Sequence, residues 1–220
     1  MMARVRFLLF CAIVLGLPGG LMALKDPRIG DLGKLAMILS PAIAGLALNP
    51  GLGRRGERIC WREVGRAALV TLTVAGLALV ASLVAGASAF SREPMEPGQA
   101  LAALAATSLT SVLEELGWAG GGLSLAVKAF GRRTGVTVLG LVWAAWHLIP
   151  TALKVGLFPE LEAAPPLMLA TFVVACLIYR ELLTSLVERS GSWLGAAAGH
   201  AAPNLAITAC VTSGLVVLTR

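Results

Sequence analysis

Five polar residues stand in stretches otherwise suited to lipid. Glu114 and Glu115 end the run Thr107-Ser-Leu-Thr-Ser-Val-Leu-Glu-Glu115. His147 closes Trp143-Ala-Ala-Trp-His147, and His200 and Asn204 lie four apart in His200-Ala-Ala-Pro-Asn204. The chain has only these 2 histidines. An ionisable group at the centre of a bilayer costs roughly 2.5–3.5 kcal/mol, so such groups tend to line a cavity or pair with one another. A carboxylate can act as general base on a water that an imidazole orients. An amide and a second imidazole can donate to a developing oxyanion. Glu114, His147 and His200 could alternatively hold a divalent metal such as zinc, with water in the open position. Both arrangements describe hydrolysis of an acyl bond in a water-filled membrane cavity. A structural carboxylate pair that pins helix packing is the plainer alternative for Glu114 and Glu115.

Helical spacing distributes these groups. Adjacent Glu114 and Glu115 point ~100° apart. Thr107, Ser111 and Glu114 share one face, so Glu114 is expected to look into a polar interior and Glu115 towards a neighbouring helix. His200 and Asn204 share a face that Thr208 and Thr212 continue. His147 lies ~16 Å into its helix if that helix starts at Val136. Gly120-Gly-Gly122 should weaken the helix just past the glutamates or admit another backbone closely. Pro203 removes a backbone donor next to the second histidine site.

The elements that carry these residues are membrane helices. The 220 residues are 57% apolar before 25 glycines are counted, and only 14% charged. A soluble domain of this size needs a polar skin that this composition cannot supply. The expected fold is all-α: a single integral membrane domain, residues 1–220, forming a multispanning helical bundle. Uncharged runs give seven spans, at about 7–24, 35–53, 67–90, 100–127, 136–153, 167–186 and 193–218. The sixth is interrupted by Arg180 and Glu181. The first follows Arg4 and Arg6 like a signal peptide, but Leu21-Met-Ala-Leu24 has no clear small-x-small cleavage site, so a retained helix is expected. Sorting Lys and Arg by side gives twelve with the N-terminus and the connections after spans two, four and six, and six on the other side. The richer side should be cytoplasmic, which places the N-terminus inside and the C-terminus outside. No basic face suggests nucleic acid. Cys11, Cys60, Cys176 and Cys210 are too dispersed for a disulfide framework or a thiolate metal site.

Three spaced motifs resemble the type II CAAX-prenyl endopeptidases and their bacterial relatives, the CPBP intramembrane proteases. Glu114-Glu115-Leu-Gly-Trp118 is similar to the family's Glu-Glu-x-x-x-Arg, and Trp143-Ala-Ala-Trp-His147 to its aromatic-x-x-x-His. Ser192-Trp-Leu-Gly-Ala-Ala-Ala-Gly-His200-Ala-Ala-Pro-Asn204 is similar to its His-x-x-x-Asn with a preceding Ser-aromatic pair. The family-like core spans about 107–215.

The resemblance implies an integral membrane protein of the bacterial plasma membrane that cleaves a membrane-anchored peptide or protein. It implies a conical cavity opening to the cytoplasm, with Glu114 and His147 activating water, without metal in the preferred reading. His200 and Asn204 would stabilise the oxyanion, and Glu115 would support the site. The family's arginine falls on Ala119. Its loss leaves Glu115 without the usual partner, and Ala119→Arg is then expected to restore a pairing. Two other readings stay open: a non-catalytic member with an immunity or scaffold role, for which Ala119 is the main support, and a proton-coupled transporter. Against the transporter, no repeated halves are visible.

Overall fold

A computed structural model describes residues 2–24, 26–49, 59–84, 88–90 and 93–217. Arg54, Arg55 and Arg58 of the second connection lie outside the described residues. Seven helices are long and apolar enough to cross a membrane. In chain order they are α1 (Met2–Ala23), α2 (Pro27–Leu48) and α3 (Trp61–Val84), then α4 (Pro97–Phe130) and α5 (Arg132–Leu153). A short α6 (Pro159–Glu162) precedes α7 (Pro166–Ser190) and α8 (Trp193–Thr212). The helices run further into the charged flanks than the apolar stretches alone suggest, because a helix continues past the bilayer until a capping or breaking signal ends it. At Asn49 it ends earlier than expected, with Pro50 next in the chain, since the residue before proline is biased out of helical geometry. The seventh span also stops short of 218. After Thr212 the chain turns into a strand, β2 (Leu215–Val217), which pairs antiparallel with β1 (Ser88–Phe90).

Local chemistry sets the helix starts that matter for the site. Pro27 opens α2, and the Asp26 carboxylate accepts from the N–H groups of Arg28 (2.9 Å) and Ile29 (3.3 Å). Gly191 ends α7 with φ +69°, a left-handed conformation that glycine adopts without strain. Ser192 then caps α8 by accepting from Leu194 N–H. This tight reversal lays α8 back along α7 and also against α3 and α4.

Lipid removes the hydrophobic drive between helices, so close packing must hold them together. Here glycines allow it. Gly45 of α2 meets Gly117 and Gly121 of α4 backbone to backbone, and a Cβ on Gly45 would lie 2.9 Å from Gly117 Cα. The first helix belongs to this core. Phe7, Phe10 and Val14 are buried, and Phe10 packs edge-on against Trp118 at 5.4 Å between centroids. Trp118 continues to Trp146 at 6.0 Å. Many large apolar side chains, among them Leu69, Leu77, Leu101 and Ile178, are exposed, as a surface facing lipid tails requires.

Candidate active site

The run after Glu115 is not α-helical. Residues Leu116–Gly122 form a π-helix inside α4, rich in the glycines expected to weaken it. Such segments are frequent at functional sites. Here the segment packs on α2. The amide of Asn49 donates to Gly120 O (3.3 Å) and to Ser124 Oγ (3.0 Å), tying the end of α2 to this segment.

One cavity of about 440 Å³ gathers the expected residues. Glu114, His147, His200 and Asn204 all line it, with Trp143, Trp146, Tyr179, Phe158 and Phe172 among the walls. Five helices, α2, α4, α5, α7 and α8, and the α5–α6 connection therefore converge on one space. Glu114 Oε2 is buried without a hydrogen-bond partner among the described residues. A carboxylate oxygen left free at the wall of a cavity can accept a proton from a water held there.

His147 Nδ1 is 2.9 Å from the carbonyl of Trp143, one helical turn back. A carbonyl only accepts, so Nδ1 carries the proton and the neutral ring keeps its lone pair on Nε2. The ring is boxed by Trp143, Trp146, Phe158 and Phe172 at 4.7–5.4 Å between centroids. The box fixes its orientation by packing.

Glu115 turns away from the cavity, as the ~100° offset requires. It accepts from His200 Nδ1 at 3.0 Å and from Arg180 at 2.8 and 3.1 Å in a two-pronged pair. The side chains of Glu115 and Arg180 are 0% and 1% exposed, so this is a fully desolvated ion pair. The guanidinium also lies over the Trp143 ring, 4.4 Å from its centroid. The expectation that Glu115 lacks a cationic partner is therefore corrected. Ala119 is an alanine, but Arg180 of α7 reaches the same carboxylate from across the bundle. Ala119 itself is buried beside Leu183 and Ala196. Arg180 is the partner of the site that the three motifs do not mark. Its signal was present as a charge in the middle of the sixth apolar run, which read only as an interruption.

The second polar stripe closes against the first. Asn204 donates to Ser111 Oγ at 3.2 Å, and Ser111 donates to Thr107 O. Thr107 and Thr208 bond through their hydroxyls at 3.0 Å. One amide hydrogen of Asn204 is thereby committed and the other is left for the cavity. Tyr179 donates to Gly199 O at 2.8 Å and stands against the His200 ring.

Metal binding fits this geometry poorly. Among the described residues no group of three or more His, Cys, Asp or Glu converges closely enough to hold an ion, and that includes Glu114, His147 and His200. A metalloprotease assignment is not supported. The cysteines described are free thiols.

Comparison with known proteins bears on this arrangement. The family model described as Rce1-like, type II CAAX prenyl endopeptidase, matches residues 96–206, from the start of α4 to just past Asn204. No curated protein matches the chain.

Proposed function

Since the chain belongs to the Rce1-like family of type II CAAX prenyl endopeptidases, we propose that it is an active intramembrane endopeptidase. The observation that carries this reading is the convergence of Glu114, His147, His200 and Asn204 on one cavity. Glu114 takes a proton from a water that His147 Nε2 orients. The resulting hydroxide oxygen attacks the scissile carbonyl carbon, and the carbonyl electrons move onto oxygen. Asn204 Nδ2–H donates to that oxyanion. His200 can do so only as the imidazolium, because its Nδ1–H already points at Glu115. Collapse of the intermediate breaks the C–N bond, and the proton held by Glu114 passes to the leaving amine. Glu115 and Arg180 do not line the cavity. They position His200.

A non-catalytic reading drew its strength from Ala119. The Arg180–Glu115 pair supplies a guanidinium to the second glutamate, which supports catalysis. The protein is an integral membrane protein. We place its N-terminus in the cytoplasm on the charge bias.

The test uses protein purified in detergent and a library of membrane-anchored peptides, with metal analysis of the same sample. A general base contributes typically ~10²–10⁴-fold. Glu114→Gln should abolish detectable cleavage at near-unchanged yield and Tm. A Glu114→Gln variant that cleaves at half the normal rate would remove Glu114 from its role.

A further inference from the structure

A second cavity lies apart from the active site, at the end of the bundle where α1 begins. It measures about 510 Å³ and is lined by Ala3, Arg4, Val5 and Leu8 of α1 and by Lys128 and Ala129 of α4. Arg4 and Lys128 are exposed, and no acidic side chain lines the space. Neither cation forms an ion pair among the described residues. Arg4 is nevertheless fixed in place. Its Nε donates to Ala129 O at 3.3 Å, and its guanidinium carbon stands 5.9 Å from the Phe130 ring centroid. That leaves the N–H groups of its two terminal nitrogens for an acceptor from outside the chain.

The depth of the two cations matches that of a lipid phosphate. Both stand at the ends of spans, Arg4 in the first turn of α1 and Lys128 in the last turn of α4. The bond from Arg4 to Ala129 holds them at one level. Leu8 follows Arg4 on the same helix face, ~6 Å further into the span. Leu8 and Val5 are both exposed. The groove therefore presents charge at the water boundary and apolar surface below it, in the order of a phospholipid headgroup and its acyl chain. A guanidinium fork and an ammonium suit the oxygens of a phosphodiester. The amine of a zwitterionic headgroup finds no carboxylate here, so an anionic lipid gains more from the site.

We infer that the groove between α1 and α4 binds one anionic phospholipid, with its phosphodiester on Arg4 and Lys128 and an acyl chain along Val5 and Leu8. The lipid adds to the contacts that join these helices, the Arg4–Ala129 bond and the edge-on Phe7–Phe130 pair at 5.5 Å. It thereby steadies the helix whose Phe10 packs on Trp118, three residues after Glu115. The site stands on this geometry and does not depend on the peptidase reading.

Native mass spectrometry reads this directly, with the full chain released from mixed vesicles of phosphatidylglycerol, phosphatidylethanolamine and phosphatidylcholine. One phosphatidylglycerol should stay bound, with a preference of at least about tenfold over either zwitterionic lipid. Arg4→Gln combined with Lys128→Gln should lower that retention at least about tenfold. Arg6→Gln combined with Arg133→Gln removes the same charge at the same end but outside the groove, and should leave retention unchanged. Thermal unfolding in detergent should agree: phosphatidylglycerol raises the Tm of the parent and of the control pair, but not of the groove pair. Lys128→Gln alone keeps the Arg4–Ala129 bond and should still lower retention at least about threefold, which decides the matter if the double variant fails to fold. Equal loss in the groove and control pairs would reduce the effect to general charge attraction and overturn the proposal. Equal retention of all three lipids would do the same. A Tm rise reproduced by inorganic phosphate alone would mark a free-anion site and also overturn it.

Discussion

Arg180→Met probes the guanidinium that the sequence motif lacks. The substitution keeps an unbranched side chain of similar reach and removes the charge. It deletes two charge-assisted hydrogen bonds, of 2.8 and 3.1 Å, from a carboxylate that is 0% exposed. Hydrogen bonds to charged groups contribute about 1.5–3 kcal/mol each. Removing one member of a buried pair typically costs about 3–5 kcal/mol, because the other charge stays behind without compensation. His200 Nδ1 remains on Glu115 and recovers part of this, so the lower half of that range is expected. Detergent thermal unfolding should show a Tm drop on the order of 10 °C. Turnover should fall with it, since Glu115 no longer holds the His200 ring in one place. Ala119→Arg alone should also destabilise, because it forces a second guanidinium between Leu183 and Ala196 when Glu115 is already paired. The double variant Ala119→Arg with Arg180→Met should recover Tm and turnover relative to Arg180→Met. That rescue marks one charge supplied from either of two helices. An Arg180→Met protein with unchanged Tm and kcat would refute the reasoning. A double variant worse than both singles would refute the exchange of positions.

The remaining predictions use other contacts. Gly117→Ala should cost more than about 3 kcal/mol, because its Cβ would fall on the Pro41 carbonyl group, a backbone with nowhere to move; normal yield and Tm would show that α2 and α4 are not held by this contact. His200→Ala and Asn204→Ala should each lower kcat about 10²–10³-fold with little change in KM, as expected of donors that act in the transition state; a rise in KM alone would make them substrate-binding residues. Asn204→Ala also frees Ser111, so its Tm should fall by less than that of Arg180→Met, which differential scanning fluorimetry can rank. Phe172→Ala should widen the cavity and shift cleavage towards bulkier side chains beside the scissile bond, read as a change in relative kcat/KM across a peptide library.

Much of this protein is dictated locally. Composition and run length decide that the chain enters a membrane as helices, because only helices and closed barrels satisfy every backbone group in lipid and uncharged runs of about 20 residues suit the helix. The same constraint makes each intramembrane polar residue conspicuous, so Glu114, His147, His200 and Asn204 could be picked out one by one. Spacing along single helices separates Glu114 from Glu115 and aligns Asn204 with Thr208, since helical geometry repeats every few residues. What lies between helices was not legible. Nothing local says that Glu115 meets a guanidinium 65 positions away, because a long flexible side chain can reach a carboxylate from any neighbouring helix. Arg180 could be seen in the sequence, but its partner could not. The cavity is likewise a tertiary property, because Glu114, His147, Phe172 and His200 line one space only when the helices that carry them pack together.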